Sequence, residues 1–244
     1  MNALIQVPED RIHIIPLWCR AQFRYNLIDE VFIATNSKQI IIPKDLRISE
    51  SRIHCIYLNQ DMDYGSNMIY ALNSIPDEII YHSCEDHILA RIPDAEIINN
   101  CYKVMLKNKK VGSFRLNGNK MVTSKRTFNG QSRLKNYREF YAEINDAYNY
   151  LFAISPSFFR KEYLLQILRD GENAWKSEIE GSRRAQQSDF IKLCALKDLA
   201  LIHNFISRGK NKDNDRAEML RMIEFQGIKV KDSDERHNLI HSLK

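Results

Sequence analysis

Two acids and a histidine stand directly after a short apolar run. Residues 78–83 (EIIYHS) have the composition of a buried strand, and Glu85, Asp86 and His87 follow it. In an open α/β sheet, ligands bind beyond the carboxyl ends of the strands. A divalent ion that bridges a diphosphate needs hard oxygen ligands at such a place, so we expect Asp86 to ligate it directly. Glu85 would act through water or orient a substrate hydroxyl, and His87 would complete the shell of a manganese ion. A solvated acidic loop is the alternative.

A second segment combines an aromatic ring with a carboxylate. In residues 172–182 (ENAWKSEIEGS), Trp175 stands three positions before Glu178. The Trp side chain offers a flat apolar face on which a sugar ring can stack, and a nearby carboxylate can accept a proton from an attacking hydroxyl. The alternative is a Trp packed into the core beside the charged start of a helix. The sequence predicts a loop between helices at Trp175.

The elements that must position these residues alternate over the first 116 residues. Strands are predicted at residues 11–16 (RIHIIP), 30–35 (EVFIAT), 52–58 (RIHCIYL), 78–83 and 111–116 (VGSFRL), and helices at 17–27, 64–74 and 93–107 with Asp94 as N-cap. This alternation predicts a single, mostly parallel sheet with helices on its faces. The acidic turn then follows the fourth strand.

The pattern changes after residue 116. Residues 117–149 are polar and rich in Lys, Arg and Asn, which indicates an inserted hairpin. This insertion serves either as an acceptor-side flap or as a structural hairpin at the sheet edge. Beyond it we predict an apolar segment at 151–155, a turn at 170–173, helices at 156–168, 183–199 and 213–224, and a last strand at 201–205.

The amino-acid composition limits the classes of protein to which the chain can belong. The chain has 244 residues, 44% of them hydrophobic and 27% charged, which suits one α/β domain and argues against disorder. A net charge of +5 suits an anionic substrate, a membrane surface or a nucleic acid without choosing among them. Five scattered cysteines without a CxxC pair indicate reduced thiols. Without an apolar span or a signal-peptide pattern, the sequence predicts a cytoplasmic protein, peripheral at most to the cytoplasmic face of the membrane.

Four segments, taken in order, resemble a family of bacterial glycosyltransferases. They are residues 64–75 (YGSNMIYALNSI), 78–89 (EIIYHSCEDHIL), 172–182 and 206–210 (ISRGK). The family has the nucleotide-diphospho-sugar transferase (GT-A) fold and acts in surface-polysaccharide and lipopolysaccharide assembly. The acidic motif reads Glu-Asp-His here, where many sugar transferases have Asp-x-Asp. The N-terminal segment also lacks the Ser-Cys-Asp type of signature at the first strand.

The resemblance implies roles for the two motifs. Asp86 becomes the metal ligand, with Glu85 and His87 beside it. Glu178 becomes the base that deprotonates the acceptor hydroxyl, so that attack is direct and the anomeric configuration inverts. Trp175 becomes a wall of the acceptor site. The cofactor implied is a divalent cation, Mn²⁺ or Mg²⁺.

The resemblance also implies a binding site for the donor. Seven residues would lie at the nucleotide-sugar, namely Pro16, Trp18, Arg20, Ser66, Asn67, Glu85 and Asp86, although Asn67 alternatively caps its helix. Arg208 or Lys210 would add positive charge near the phosphates or lie solvated at the surface. A UDP-sugar is the favoured donor, a glycan or lipid-linked molecule is the acceptor, and no nucleic acid is bound. The single domain then divides into a nucleotide-sugar-binding half (1–116), the insertion (117–150) and an acceptor-side half (151–244).

Two other functions fit parts of the sequence. A sugar-nucleotide-forming nucleotidyltransferase would use the same kind of sheet and a metal, but usually carries a Gly-rich loop with Arg and Lys after its first strand. Residues 16–22 (PLWCRAQ) contain no Gly. A nucleic-acid-binding module would gather basic and aromatic residues on one face, whereas the basic residues here are dispersed along the chain.

Overall fold

A computed structural model describes residues 1–38, 50–58, 62–89, 92–118, 132–200 and 202–204. Arg208, Lys210 and the predicted helix at 213–224 lie outside the described residues.

The first strand lies earlier in the chain than the sequence predicts. Strand β1 is Asn2–Val7, and a 3-10 helix, Glu9–Ile14, leads from it into helix α1, Ile15–Arg24. The predicted strand at 11–16 is therefore wrong. Its apolar residues belong to the 3-10 turn and to the start of α1, where Pro16 occupies the first turn. Proline is tolerated there because the first N–H groups of a helix have no intrahelical partner.

The remaining elements follow in chain order. They are β2 (Glu30–Thr35), a 3-10 turn (Glu50–Arg52), β3 (Ile53–Tyr57), α2 (Tyr64–Ser74), β4 (Ile79–His82), β5 (His87–Leu89), α3 (Ala95–Lys107), β6 (Val111–Arg115), β7 (Leu134–Lys135), β8 (Tyr141–Ile144), β9 (Ser157–Arg160), α4 (Lys161–Ile167), α5 (Ala174–Gln186), β10 (Ile191–Ala195) and β11 (Ile202–Asn204). The predicted strands at 30–35, 52–58, 78–83 and 111–116 and the helices at 17–27, 64–74 and 93–107 are confirmed, with small shifts at their ends. The predicted strand at 201–205 is confirmed over β11.

Nine of the described strands form one mixed sheet in the order β3-β2-β1-β4-β9-β6-β10-β8-β7. Strands β1 to β4 are mutually parallel where they pair, and β6 pairs in parallel with β10. Only β9 and β8 run opposite to the other seven strands of this sheet. The chain moves outward from β1 to β2 and β3 and then returns to place β4 on the other side of β1. The sheet therefore has a topological switch point between β1 and β4.

Alternation along β1 explains how both faces of the sheet are covered. Ala3, Ile5 and Val7 are buried with the apolar faces of α1 and α3. Leu4 points to the opposite face, where it is buried in a second cluster with residues of α2 and α4. Successive side chains of a strand point to opposite faces, so the run NALIQV supplies both layers of the core.

Two of the predicted helices are wrong in part. The segment after Pro156 first forms β9, the antiparallel strand between β4 and β6, and only then the short helix α4. Residues 183–199 are not one helix, because α5 ends at Gln186 and β10 follows. Trp175 lies in the first turn of α5 and not in a loop. The predicted turn at 170–173 is confirmed, with Gly171 at a φ of +76°.

The described part of the insertion is a hairpin in the sheet. Strands β7 and β8 pair with each other, and β8 pairs with β10. Leu134, Ala142 and Ile144 are buried, so residues 134–144 extend the sheet edge. This agrees with the structural-hairpin alternative for that part, while residues 119–131 lie outside the described residues.

Candidate functional site

A cleft of about 480 Å³ opens at the carboxyl ends of β1 and β4, at the switch point of the sheet. Five parts of the chain line it: the end of β1 with the 3-10 helix, the start of α2, the end of β4 with the acidic turn, the segment before β9, and the start of α5. The lining residues are Gln6, Pro8, Arg11, Tyr64, His82, Ser83, Cys84, Glu85, Asp86, His87, Ile154, Ala174, Trp175 and Glu178. Ligands of open α/β sheets bind at this location.

An ion pair joins the two strand ends. Arg11 Nη1 lies 2.6 Å from Glu85 Oε1, and the Glu85 side chain is 8% exposed while that of Arg11 is 33% exposed. Burial opposes the charge of Arg11, but the hydrogen bond to Glu85 and the charges of Glu85 and Asp86 outweigh burial and raise the pKa of Arg11. Glu85 is thus engaged by Arg11, and Arg11 is itself part of the cleft lining.

Asp86 and His87 come together with Cys84. One ligand atom from each of the three residues lies within 4.8 Å of the other two. His87 Nε2 is 4.0 Å from Asp86 Oδ1, and His87 Nδ1 has no hydrogen-bond partner within the described part of the chain. Burial, followed by the repulsion that a protonated His82 would exert, lowers the pKa of His87 to about 4, so the ring of His87 is neutral at pH 7. Burial, followed by the charges of neighbouring carboxylates, raises the pKa of the Cys84 thiol.

These residues fit a divalent cation by the chemistry of their donor atoms. A carboxylate and a neutral imidazole suit manganese and the later first-row metals, and a thiol adds a ligand that zinc or cobalt accepts readily. The group differs from the predicted set because Cys84 takes the place of Glu85. An all-oxygen site, which Mg²⁺ prefers, is not what these side chains provide.

A buried polar chain lies beneath the cleft. His82 Nδ1 is 2.7 Å from the main-chain oxygen of Leu4, so this nitrogen carries the proton. His82 Nε2 then accepts a hydrogen bond from the Tyr64 hydroxyl at 3.1 Å. Burial lowers the pKa of His82 to about 4. The neutral ring therefore holds Tyr64 against the end of β4.

The opposite wall of the cleft is the first turn of α5. Glu178 Oε1 accepts a hydrogen bond from the Ile154 main-chain N–H at 2.7 Å, and Glu178 Oε2 accepts one from the Tyr150 hydroxyl. Burial, followed by the contact with Glu178, raises the pKa of Tyr150 and keeps its hydroxyl protonated. Trp175, one turn before Glu178, is 70% exposed. The exposed ring excludes the alternative of a core tryptophan at this position.

Asp63 fixes α5 relative to α2. Its carboxylate caps α2 by accepting hydrogen bonds from the Ser66 N–H at 3.0 Å and the Ser66 hydroxyl at 2.8 Å. The same carboxylate accepts hydrogen bonds from the N–H groups of Gly171 at 2.9 Å and Glu172 at 3.0 Å. These bonds lower the pKa of Asp63 despite partial burial. The start of α5, and with it Glu178, is thereby tied to the helix that precedes β4.

The close approach of the loop before α5 to the start of α2 requires a glycine at position 65. A Cβ on Gly65 would lie 2.0 Å from the main-chain oxygen of Arg169. The Gly65 N–H donates to the oxygen of Glu172 at 2.8 Å. A larger side chain at this position would push the loop before α5 away from α2.

The structure gathers five of the predicted site residues in the cleft: Glu85, Asp86, His87, Trp175 and Glu178. Of the predicted donor-binding residues, Glu85 and Asp86 line this cleft, and the other five are not among its lining residues. Pro16, Trp18 and Arg20 belong to α1, and the side chain of Trp18 is fully buried in the core, 6.4 Å from Tyr81 between ring centres. Ser66 donates to Asp63, and Asn67 donates to the Met62 oxygen at 3.1 Å, so Asp63 and not Asn67 is the cap of α2.

Sequence reasoning missed several residues of the cleft: Gln6, Arg11, Tyr64, His82, Cys84 and Ile154. Arg11 was not predicted as a site residue because the expected strand at residues 11–16 begins with it, whereas β1 is Asn2–Val7. Once β1 is placed at residues 2–7, a basic residue four positions after its end becomes a visible candidate. Nothing in the local sequence distinguishes Ile154, whose main-chain N–H contributes through the fold alone.

A cavity of about 520 Å³ lies beside the amino end of β4, at the opposite end of the central strands, and is lined partly by Glu78, Arg160 and Lys161. Its most buried cation, Arg160, donates to the main-chain oxygens of Met105 and Val111 at 2.7 and 3.1 Å. Lys161 likewise donates to the oxygen of Ile75 at 2.8 Å. These cations satisfy helix and strand ends, so their role is structural.

No helix within the described ranges is both long and apolar enough to cross a membrane. No family model matches the sequence, and no curated protein matches it significantly.

The fold is similar to that of several solved structures at low sequence identity. The UTP-bound UGPase from Acinetobacter baumannii aligns with a TM-score of 0.56 and 10% identity over 100% of this chain and 99% of its own. The mannosyltransferase PcManGT from Pyrobaculum calidifontis, in complex with GDP-Man and Mn²⁺, aligns with a TM-score of 0.54 and 11% identity, over 99% of this chain and 68% of its own. S. aureus TarS gives 0.51 and 13% identity, over 99% and 69%. The chain thus has the α/β, mostly parallel, GT-A-like fold of nucleotide-diphospho-sugar transferases.

Proposed function

We propose that the chain is a glycosyltransferase that moves a sugar from a nucleotide-diphosphate donor to an acceptor hydroxyl. One observation carries the proposal. A single cleft at the β1–β4 switch point brings together an acidic turn and, from a helix almost ninety residues later in the chain, Trp175 and Glu178. The first group suits a diphosphate with its cation, and the second suits a sugar acceptor.

The charges of the cleft explain why a cation is needed. Its described lining carries three carboxylates, on Glu85, Asp86 and Glu178, and one cationic side chain, on Arg11. A diphosphate adds further negative charge, which this surface would repel. A divalent cation held by Asp86, with His87 beside it, would offset the repulsion and neutralise the charge that develops on the departing diphosphate.

Arg11 is the natural partner of a donor phosphate. It is anchored by Glu85 at 2.6 Å, its side chain is one-third exposed, and it lines the cleft. The planar guanidinium has five donors, so it can keep its bond to Glu85 and donate to a phosphate oxygen at the same time. Glu85 therefore positions Arg11 in this proposal instead of ligating the metal.

Glu178 is suited to act as the base. Its two oxygens are oriented by Ile154 and Tyr150, and each oxygen keeps a further lone pair that can accept a proton from an acceptor hydroxyl. Direct attack of that hydroxyl inverts the anomeric carbon. The exposed ring of Trp175, one helical turn away, provides a surface on which the acceptor sugar stacks.

Finer features of this proposal come from the family resemblance. They are a UDP-sugar as donor, Mn²⁺ or Mg²⁺ as the cation, a glycan or lipid-linked acceptor, and a role in surface-polysaccharide or lipopolysaccharide synthesis. PcManGT, in complex with GDP-Man and Mn²⁺, supports a cation beside a nucleotide-sugar on this fold.

A sugar-nucleotide-forming nucleotidyltransferase is the second candidate. Two pyrophosphorylase structures align over 99% and 97% of their own length, so the chain is of similar size and arrangement. Against it, the segment that follows β1, residues 8–14 (PEDRIHI), contains no glycine. The Gly-rich loop expected of a nucleotidyltransferase is therefore missing after β1, just as it is missing after the strand predicted at residues 11–16.

Product analysis distinguishes the two candidates. The full chain is incubated with Mn²⁺ and a panel of UDP- and GDP-sugars, and release of the nucleoside diphosphate is measured. In parallel it receives UTP with a sugar 1-phosphate, and release of pyrophosphate is measured. We expect diphosphate release from one sugar nucleotide and no pyrophosphate, while the opposite pattern would establish the nucleotidyltransferase.

The metal is tested in the same assay. D86A should lose donor turnover, and EDTA should abolish the activity of the wild-type chain. A D86A protein with wild-type activity in EDTA would contradict the cation role of Asp86. Thermal stabilisation by an oligonucleotide, and not by UDP with Mn²⁺, would favour nucleic-acid binding instead.

A further inference from the structure

Three different donor atoms converge at the acidic turn. The Cys84 thiol, an Asp86 carboxylate oxygen and a His87 ring nitrogen lie within 4.8 Å of one another. His87 is 8% exposed, yet its Nδ1 has no hydrogen-bond partner in the described parts of the chain. A buried polar atom without a partner is costly, and such a group calls for an explanation. A bound ion supplies one.

We propose that this group is a three-ligand site for a thiophilic divalent cation, of the Zn²⁺ or Co²⁺ class, and that Cys84 makes it discriminate against Mg²⁺. Thiolate and imidazole ligands select zinc and the later first-row metals, whereas Mg²⁺ demands oxygen ligands in octahedral geometry. The inference rests on the proposed function and names the cation class of its site, in place of the Mn²⁺ or Mg²⁺ that the family resemblance implies.

The geometry requires a modest contraction. A tetrahedral ion takes sulfur at about 2.3 Å and nitrogen and oxygen at about 2.0–2.2 Å, which places the ligand atoms roughly 3.5 Å apart. The present separations of up to 4.8 Å must shorten by up to about 1.3 Å, a movement within reach of rotation about side-chain bonds.

The thiol has a defined proton to release. Cys84 Sγ donates to the Ile154 main-chain oxygen at 3.3 Å. When the ion binds, the proton leaves to solvent and the thiolate ligates the ion, so binding is coupled to release of one proton.

Three protein ligands leave the fourth tetrahedral position open. An open position is what distinguishes catalytic zinc sites from closed structural ones. Arg11 lines the same cleft as the three ligand residues, so a bound anion would lie in one cavity with both the ion and the guanidinium. The site is therefore built to hold an ion and a ligand together, not to brace the fold.

Cobalt provides a readout that is independent of turnover. The full chain, freed of metal by a chelator and kept reduced, is titrated with Co²⁺ and followed by absorption. We expect a thiolate-to-cobalt charge-transfer band in the near ultraviolet at one ion per chain. Zn²⁺ should abolish the band, and a large excess of Mg²⁺ should leave it.

Two cysteine-to-serine variants test which cysteine supplies the sulfur ligand. C84S should lose the band. It should also bind Zn²⁺ about tenfold more weakly or worse, because removing even a residue that only hydrogen-bonds to a metal ligand lowers metal affinity by about 10–100-fold. C55S is the matched control, because Cys55 is the exposed cysteine on β3, and it should keep both the band and the affinity. Serine is nearly isosteric with cysteine, and circular dichroism checks that both variants fold.

Three outcomes would overturn the inference: no charge-transfer band in the wild-type chain, a band that survives in C84S, or displacement of Co²⁺ by Mg²⁺ as readily as by Zn²⁺. Failure of the proposed function would look different. In that case the band and its loss in C84S would remain, but no sugar nucleotide would be turned over with any cation.

Discussion

The Arg11 guanidinium lies 2.6 Å from the Glu85 carboxylate and thereby links the segment after β1 to the turn after β4. The two residues are 74 positions apart in the chain. Because β1 and β4 are parallel neighbours, their carboxyl ends lie side by side at the same end of the sheet. The ion pair turns that meeting point into a site with one anchored cation facing a cleft.

Replacing Arg11 tests its contact with the donor. R11M should weaken UDP binding in the presence of Mn²⁺ by roughly 10–100-fold, because a hydrogen bond to a charged group contributes about 1.5–3 kcal/mol. Calorimetric titration measures the change. R20M is the matched control, since Arg20 lies on α1 away from the cleft lining, and it should bind UDP as the wild-type chain does.

A double variant separates two explanations of such a loss. R11M also leaves Glu85 without its partner, which adds repulsion in the cleft. If R11M/E85Q binds UDP normally, Arg11 only neutralises Glu85. If the loss persists, Arg11 contacts the phosphates. A loss in R20M but not in R11M would instead support the donor site at residues 16–20 that the sequence predicts.

Glu178 is tested by a substitution that preserves its hydrogen bonds. In E178Q the amide oxygen can still accept from the Ile154 N–H, so the helix should stay in place. Turnover should fall by roughly 10²–10⁴-fold, the range of general-base catalysis, while donor affinity is unchanged. E180Q, on the exposed side of the same helix beside Arg183, should retain activity. Unchanged turnover in E178Q would remove Glu178 from the base role.

The two tryptophans of the chain should respond in opposite ways to truncation. W175A should raise the KM for the acceptor with little change in unfolding temperature, because the ring is 70% exposed. W18A should cost about 3–5 kcal/mol of unfolding free energy, because it leaves a cavity in the core. Chemical denaturation and acceptor kinetics distinguish them. A W175A chain that is strongly destabilised but has an unaltered KM would contradict the assignment of Trp175.

Acid should destabilise the protein through His82. Burial holds the pKa of His82 at about 4, below the ordinary value of 6.5, so the unfolded chain binds the extra proton first as the pH falls. Stability from this residue is complete above pH 6.5 and is lost toward pH 4. The loss between pH 7 and pH 5 should be roughly 2 kcal/mol.

Denaturation curves at several pH values measure this slope. H82Q should be less stable at pH 7 but show a shallower decline toward pH 5. H54Q is a control for removal of a histidine at the half-exposed surface of β3. A decline in H82Q as steep as in the wild-type chain would show that His82 is not the source.

Asp63 should matter for activity as well as for stability. D63A removes the cap of α2 and should cost about 1–2 kcal/mol. It also frees Gly171 and Glu172, so α5 should shift and turnover should fall. D94A removes the corresponding cap of α3, on the other face of the sheet, and should lose similar stability with normal turnover. Equal activities in D63A and D94A would contradict the positioning role.

The sequence by itself determined the class of fold and both chemical motifs. Strand and helix periodicity is a local property, so β2, β4, α2 and α3 could be predicted from residues within each segment. The acidic turn could be predicted for the same reason, because it follows a recognisable buried strand. Trp175 and Glu178 were recognisable by type and spacing.

Tertiary structure decided the elements whose local pattern is ambiguous. Short apolar runs do not distinguish a buried strand from a helix start, which is why residues 11–16 were misassigned and β1 was missed. Strand β10 contains Lys192, which is buried and pairs with Asp146 at 2.8 Å. Its Nζ also donates to the main-chain oxygens of Ala185 and Ser188 at 3.0 and 3.3 Å, so partners outside the strand satisfy a buried lysine that no local pattern marks as part of a core strand.

The site itself is also a product of the tertiary structure. The sequence predicted Glu85 as a metal-shell residue, but in the folded chain Arg11 engages it and Cys84 joins Asp86 and His87. Parallel strands place their ends side by side whatever their separation in the chain, and no local pattern records which ends become neighbours. Sequence therefore supplies the chemical groups, and strand order decides which of them act together.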